Sequence, residues 1–213
     1  PAASGRAGTD AGSRSPEVGE FGRFTVVLGA VATLSALGGI ALAILLDPTF
    51  SWTADALSDL GVRDGSARAF NWGLIAGGAA GVCYAACLGR AGRPFRALLL
   101  ALSMVAMAGV GVFDLTEPLH GPAAIGFYGF ITPVFAVDGW VRRGAATGRV
   151  ALAFAAVHVA VWATFVAGWW PVTGLALPEL PGALMLAAWV WVVGPAPVVG
   201  AIRSPPGDPT DGH

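Results

Sequence analysis

The chain has 213 residues, of which 55% are apolar and only 12% are charged, and its mean hydropathy is +0.70. Soluble domains carry about 25% charged residues, so this composition excludes an ordinary soluble domain and indicates a membrane protein. The formal net charge of −1 argues against a nucleic-acid partner, because binding to a phosphate backbone requires a basic surface.

Long apolar runs predict a polytopic, all-α membrane protein. About 20 apolar residues span the hydrocarbon core of a bilayer as a helix, and six runs have roughly this length. The runs cover residues 24–46, 70–88, 95–113, 121–141, 150–170 and 182–202. We therefore expect a six-transmembrane-helix antiparallel bundle over residues 23–203, with a short outer interfacial helix. The polar, glycine-rich residues 1–22 predict a disordered cytoplasmic tail, and residues 204–213 predict a short cytoplasmic tail.

The basic residues lie in alternate connections of the predicted bundle. Every one of them is Arg, and all except Arg63 and Arg68 fall in the two tails, in the second connection or in the fourth. Basic residues collect on the cytoplasmic side of membrane proteins. This partition predicts a multi-pass protein of the cell membrane whose N-terminus and C-terminus both lie in the cytoplasm.

The first outer connection, residues 51–61, has the sequence SWTADALSDLG. Its apolar residues recur every three or four positions, which predicts a short interfacial helix lying across the mouth of the bundle. Trp52, Leu57 and Leu60 should then be buried. Gly61 suits the C-terminal end of this helix.

The outer connections concentrate acidic residues and one histidine with little basic compensation, and the third of them contributes Glu179. Two carboxylates and an imidazole that lie close together can bind a divalent cation or act as a general acid and base. Acidic side chains on an outer surface can equally be solvated or cap helices. The candidate outer polar site consists of Ser58, Asp59, Asp114, Glu117 and His120. The metal, if any, is unknown, and its candidate ligands are Asp59, Asp114 and His120.

Three polar side chains, Asn71, Asp138 and His158, fall within the predicted helices and are candidate polar groups of the bundle interior. Polar groups at membrane depth are costly and face the bundle rather than the lipid. Asp138 lies one turn from Arg142, which predicts an i, i+4 ion pair. His158 is predicted to form a hydrogen bond between helices, and the alternative is a catalytic or ligand-binding role.

The sequence leaves the cofactor unknown and argues against haem. His120 and His158 are the histidines of the predicted bundle, and at 1.5 Å per residue their depths differ by roughly 15–18 Å, which argues against a haem held between them. The sequence has no nucleotide-binding, zinc-protease or serine-hydrolase motif. Glycine every fourth residue in the second helix, at Gly73, Gly77 and Gly81, predicts close contact with another helix.

Three motifs resemble one family of membrane proteins. They are W-x-x-x-x-L-S-D-L-G at residues 52–61, F-N at residues 70–71 and F-D-x-x-x-x-x-H at residues 113–120. Over about residues 24–202 the chain resembles the six-helix prokaryotic membrane proteins grouped as domain of unknown function 998, which have no assigned activity. The last motif also resembles, more weakly, the group that contains the DRAM autophagy modulators and a factor that remodels GPI lipid anchors. That distant likeness implies a lipid-linked role.

We therefore expect an integral membrane protein that binds a lipid or a partner at its extracytoplasmic face. The alternative is a lipid-active hydrolase or remodelling factor, with or without a metal ion, whose site lies among Asp59, Asp114 and His120. A transporter is less favoured, because Asp138 and His158 alone among ionisable groups lie along a path through the helices. The expected partners are membrane lipids, a second copy of the chain or another membrane protein, and no nucleic acid.

Overall fold

The computed structural model describes residues 16–196 and 198, and its regular elements in that range are all helical. Six of the helices are long and apolar enough to cross a membrane, so the predicted all-α, six-helix integral membrane fold is confirmed. A 3₁₀ helix, Leu57–Gly61, lies between the first two long helices, and a π-helical turn, Trp189–Val193, continues the last one. The long helices are α1 (Pro16–Leu46), α2 (Ala67–Arg90), α3 (Pro94–Val112), α4 (His120–Val141), α5 (Ala146–Val166) and α6 (Ala176–Ala188).

The helix boundaries differ from the prediction mainly at α1, α5 and α6. α1 begins at Pro16, so part of the predicted N-terminal tail is helical, while residues 1–15, 197 and 199–213 lie outside the described residues. α5 ends at Val166 rather than at residue 170, because Gly168 adopts a φ of +74°, the left-handed conformation that terminates helices. α6 begins at Ala176, so Glu179 lies in its first turn rather than in a connection.

Glycines on α2 let the neighbouring helices approach closely on two sides. A Cβ atom at Gly73 would lie 2.7 Å from the Cα atom of Gly39 in α1. A Cβ atom at Gly78 would lie 2.7 Å from the carbonyl oxygen of Met104 in α3. No side chain fits at these distances, so the predicted close packing of this helix is confirmed, and α2 lies between α1 and α3.

The α2–α3 and α4–α5 connections, residues 91–93 and 142–145, form the arginine end of the bundle. Asp138 of α4 is fully buried near this end. Its carboxylate accepts hydrogen bonds from Arg96 at 2.7 Å, Trp189 at 2.8 Å and Arg142 Nε at 2.9 Å. The predicted ion pair with Arg142 is confirmed, and the additional donors mean that one carboxylate holds α3, α4 and the end of α6 together.

The other three connections, residues 47–66, 113–119 and 167–175, form the acidic end. Here Arg63 forms ion pairs with Asp47 at 2.9 Å and with Asp55 at 2.8 Å. The hydrogen bond from Arg63 lowers the pKa of Asp47 to about 2 and also lowers the pKa of Asp55. Arg63 therefore braces the connection between α1 and α2 and is engaged away from the candidate residues Asp59 and Asp114.

α5 is packed less tightly than the other described helices. Only 17% of its most apolar window is buried, against 33–50% for the other five. Val157, Val159 and Val166 are exposed on its surface, which in a membrane means contact with lipid. This loose packing leaves a groove beside α4, and the candidate site lies at one end of that groove.

Candidate functional site

The 3₁₀ helix Leu57–Gly61 covers the site at the acidic end. Leu57 and Leu60 are buried, as predicted. The predicted burial of Trp52 is wrong, since this residue is 38% exposed. Residues 52–54 form turns and only Leu57–Gly61 is helical, so Trp52 does not share a helical face with Leu60. Gly61 is the last residue of the 3₁₀ helix, as predicted.

Backbone hydrogen bonds fasten this segment to the connection between α5 and α6. The N–H groups of Thr173 and Gly174 both donate to the carbonyl oxygen of Thr53, at 2.9 and 3.0 Å. The N–H group of Ala176 donates to the carbonyl oxygen of Asp55 at 2.9 Å. The segment is therefore attached to the bundle rather than being a free loop, in agreement with the prediction.

Asn71 joins the 3₁₀ helix to α2. Its Nδ2 atom donates to the carbonyl oxygen of Gly61 at 2.9 Å, and a Cβ atom at Gly61 would lie 2.7 Å from Asn71 Oδ1. Asn71 Oδ1 is the one buried side-chain polar atom without a hydrogen-bond partner among the described residues. The last residue of the LSDLG motif and the Asn of the F-N motif are thus in direct contact, and a side chain at position 61 would displace the Asn71 amide.

Glu179 is a site residue that the sequence reasoning placed in an exposed connection. Its side chain is buried, and Oε2 accepts a hydrogen bond from the N–H group of Leu57 at 2.7 Å. This contact ties the first turn of α6 to the start of the 3₁₀ helix. The signal for it was a single carboxylate flanked by apolar residues and prolines, in the sequence LALPELPG. Pro178 fits in the first turn because its missing N–H would have no intrahelical partner there.

His120 is the first residue of α4 and is buried. Its Nδ1 atom lies 2.8 Å from the carbonyl oxygen of Phe113. A carbonyl oxygen only accepts hydrogen bonds, so Nδ1 carries the proton, and Nε2 of the neutral ring is left as an acceptor. The hydrogen bond fixes both the tautomer and the orientation of the imidazole.

The predicted outer cluster is divided by the structure. Asp114 accepts hydrogen bonds from the backbone and the hydroxyl group of Thr116, at 2.9 and 2.6 Å, and these bonds lower the pKa of Asp114. Glu117 is exposed. Neither residue lines the groove that contains Ser58, Asp59 and His120.

No metal centre is formed by the candidate ligands. Within residues 16–196 and 198, no three His, Cys, Asp or Glu side chains are arranged so that they could hold a metal ion. Asp59 instead accepts a hydrogen bond from the N–H group of Ala56 at 2.7 Å and caps the 3₁₀ helix. Asp59, Asp114 and His120 thus fail to form the ligand set that their sequence positions suggested.

A groove of about 780 Å³ runs from the 3₁₀ helix along α4 and α5. Its volume lies within the range of about 300–1,000 Å³ that is usual for small-molecule sites. Exposed apolar residues, including Ile125, Val159 and Val166, line it on the lipid side. Its polar and aromatic lining residues are Ser58, Asp59, His120, Tyr128, Thr132, His158, Trp162 and Glu179.

Four groups in the groove have hydrogen-bonding capacity that no other described residue uses: Ser58 Oγ, His120 Nε2, Tyr128 OH and Glu179 Oε1. Ser58, His120 and Glu179 are only 8%, 7% and 6% exposed, and all three line the groove. The same four side chains also line a smaller, mostly apolar internal cavity of about 80 Å³. The acidic end of the groove therefore carries the free polar groups, and the remainder is lined mainly by apolar side chains.

His158 lies deeper in the groove and is fully used in hydrogen bonding. Its Nε2 atom accepts from Trp162 Nε1 at 3.0 Å, and its Nδ1 atom lies 2.7 Å from Thr132 Oγ1 of α4. Because Nε2 accepts, Nδ1 of the neutral ring donates to the hydroxyl group. The predicted hydrogen bond between helices is confirmed, and neither nitrogen of His158 is free to act as a base.

Comparison with known proteins gives one match. A family model described as Protein of unknown function (DUF998) matches residues 27–196. No curated protein and no solved structure matches the chain. The matched range includes the 3₁₀ helix and every residue that lines the groove. The chain is therefore an integral membrane protein that belongs to the DUF998 family of proteins of unknown function.

Proposed function

We propose that the protein binds an amphipathic membrane lipid in the groove between α4 and α5, with the polar end of the lipid at Ser58, His120 and Glu179. One observation carries this proposal: an apolar groove ends at the buried residues Ser58, His120 and Glu179, each of which has hydrogen-bonding capacity that is unused within the described chain. Buried polar groups are costly unless they are paired. An amphipathic lipid fits both the apolar walls and the polar end of the groove, because its acyl chain covers the walls and its headgroup pairs with the polar atoms.

The position of the groove also favours a ligand from the bilayer. Ile125 of α4 and Val159 of α5 both line the groove and are exposed on the surface of the bundle. A lipid therefore reaches the groove sideways from the hydrocarbon region without passing through water.

A lipid-active enzyme is the second candidate, because a free imidazole nitrogen, a hydroxyl group and a carboxylate line one groove. Nucleophilic catalysis by Ser58 would require a hydrogen bond to its base. Within residues 16–196 and 198, no hydrogen bond joins Ser58 to His120. We therefore favour binding over hydrolysis.

Photo-crosslinking tests the proposed binding. The purified protein is incubated with a phospholipid that carries a diazirine on its acyl chain, and labelled residues are mapped by mass spectrometry. Labelling of α4 and α5 that excess unlabelled lipid displaces should fall by about tenfold in Gly129→Phe, the equivalent of about 1.4 kcal/mol. Gly129 lines the groove, and a Cβ atom there meets nothing within 4 Å, so the new ring occupies the groove without distorting the helix.

Gly38→Phe is the matched control for this experiment. Gly38 is an exposed glycine of α1, its added Cβ atom also meets nothing within 4 Å, and it does not line the groove. Displaceable labelling should be unchanged in this variant. Equal labelling of the two variants, or labelling that is spread evenly around the bundle, would contradict binding in the groove.

We also propose that the protein resides in the cell membrane with its acidic end outside and both termini in the cytoplasm. The arginine partition supports this orientation. Single cysteines at Gly65 and Ala146, both exposed, are introduced after Cys83 and Cys87 are replaced with Ala. An impermeant thiol reagent should label intact cells at residue 65 and not at residue 146, and the reverse or equal labelling would refute the orientation.

A further inference from the structure

We infer that the groove selects a lipid whose headgroup ends in a primary ammonium group. This inference rests on the proposed lipid binding and adds the chemical class of the ligand. Three elements that meet at the acidic end carry it: the 3₁₀ helix, the first residue of α4 and the first turn of α6. Each of them has a free hydrogen-bond acceptor on a side chain that lines the groove.

In Glu179 and His120, one polar atom of the side chain is already hydrogen-bonded, and the other atom is the free acceptor. Glu179 Oε2 is taken by the N–H group of Leu57, so Oε1 is left. His120 Nδ1–H is directed at the carbonyl oxygen of Phe113, so the lone pair of Nε2 is left. Ser58 Oγ accepts as well as donates. All three side chains are more than nine-tenths buried and line the groove.

A primary ammonium group offers three donors and no acceptor, which suits a groove whose free polar atoms can all accept hydrogen bonds, including Tyr128 OH beside these three. A lipid alcohol offers one donor hydrogen and would leave acceptors unpaired, and an unpaired buried polar group is costly. A quaternary ammonium group carries charge but has no N–H donor. The predominance of free acceptors therefore favours an ammonium group over a single hydroxyl group or a quaternary ammonium group.

The charges at this end of the groove favour the same ligand. Asp59 and Glu179 both line it, and none of its lining residues in the described chain is Arg. Arg63 is held by Asp47 and Asp55 at 2.9 and 2.8 Å. An anionic headgroup inside the groove would meet carboxylates without a basic partner, whereas an ammonium group would compensate them. The phosphate of a zwitterionic lipid would stay at the mouth, in contact with water.

Competition between headgroups tests the inference in the crosslinking assay described above. The competitors have identical acyl chains and are phosphatidylethanolamine, phosphatidylcholine, phosphatidylglycerol and diacylglycerol. Phosphatidylethanolamine should displace the diazirine lipid from α4 and α5 at about tenfold lower concentration than the other three. Glu179→Gln should abolish this preference while groove labelling persists, because the amide oxygen still accepts from the N–H group of Leu57.

Two further variants complete the experiment. Asp64→Asn alters an exposed acid of the acidic end and should keep the full preference. Ser58→Ala removes one acceptor with little change in volume and should reduce the preference. Equal displacement by all four lipids, or stronger displacement by phosphatidylglycerol or diacylglycerol, would overturn the ammonium inference and leave lipid binding intact. Absence of displaceable groove labelling with every lipid would refute both.

Discussion

Replacing Asp138 with Asn removes the charge that joins α3, α4 and the end of α6, and it leaves the size of the side chain almost unchanged. The carboxylate is fully buried and accepts hydrogen bonds from Arg96, Arg142 and Trp189. The substituted amide would keep one acceptor oxygen, but its NH₂ group would face the N–H donors of the arginine side chains and could not accept their hydrogen bonds. Removing one partner of a buried ion pair costs about 3–5 kcal/mol, because the other charge is left uncompensated.

The exposure of the two arginine side chains indicates which part of the range of about 3–5 kcal/mol applies to Asp138→Asn. Arg96 is 13% exposed and Arg142 is 20% exposed, so each guanidinium regains some hydration when the carboxylate is lost. We therefore expect Asp138→Asn to lower the free energy of unfolding by about 3 kcal/mol, the lower end of the range. Trp189→Phe removes a single neutral donor and should cost about 1 kcal/mol from the lost hydrogen bond alone.

Unfolding in mixed micelles with increasing dodecyl sulfate, followed by circular dichroism, measures these differences. Asp64→Asn is the control, because it removes an aspartate charge from an exposed position. Surface substitutions of this kind change stability by about 0.5 kcal/mol or less. If Asp138→Asn fell within that margin of the control, the buried ion pairs would not be what holds the three helices together.

Three further outcomes are expected in the same unfolding assay. Gly73→Ala should destabilise the protein by about 1–3 kcal/mol, because the new methyl group meets the backbone of α1. The control Gly38→Ala should be neutral or stabilising by up to about 1 kcal/mol. Equal effects of the two substitutions would refute the close packing of α2 against α1. Leu57→Asp should cost roughly 2 kcal/mol or more, because a charge enters a buried contact, and an unchanged midpoint would show that the 3₁₀ helix is unattached. The Asp47 pKa is lowered from 3.8 to about 2, so its ionised form stabilises the fold above about pH 4, and this contribution is lost as the pH falls towards 2. The stability difference between wild type and Arg63→Gln should therefore be present at about pH 6 and narrow at low pH, and a constant difference would contradict the ion pair.

The membrane helices could be predicted because their signal is contained in single segments of sequence. The length of an apolar run alone defines a span, and the spacing of Leu57 and Leu60 is enough to indicate their burial. The ion pair of Asp138 with Arg142 could be predicted because both residues lie on one helix at i, i+4 spacing. The hydrogen bonds of Asp138 with Arg96 and Trp189 could not be predicted, since they depend on how α3 and α6 are rotated against α4.

The candidate site was predicted only in part, because local hydrogen bonds decide which polar groups reach it. Asp114 is retained in its own turn by Thr116, two residues later, and never faces the groove. Glu179 was assigned to a connection because the prolines around it suggest a helix break, yet α6 begins before them. Ser58 and His120 meet in the groove because neighbouring connections lie at the same end, and this much does follow from topology.

The arrangement around Asp138 also has a consequence for the order in which the protein is made. Synthesis proceeds from the N-terminus, so Arg96 and Arg142 both exist once α4 is complete, before α5 and α6 emerge from the ribosome. An unpaired aspartate costs about 2.5–3.5 kcal/mol at insertion when it lies at the centre of a membrane helix. Asp138 lies in the last turn of α4, so this value is an upper bound, and pairing with Arg142 reduces the cost from the outset. Trp189 is the last donor to arrive. Its hydrogen bond forms only when the final helix has docked in register. The carboxylate that pairs with arginine while α4 inserts therefore gains its last partner when the end of α6 packs against α4.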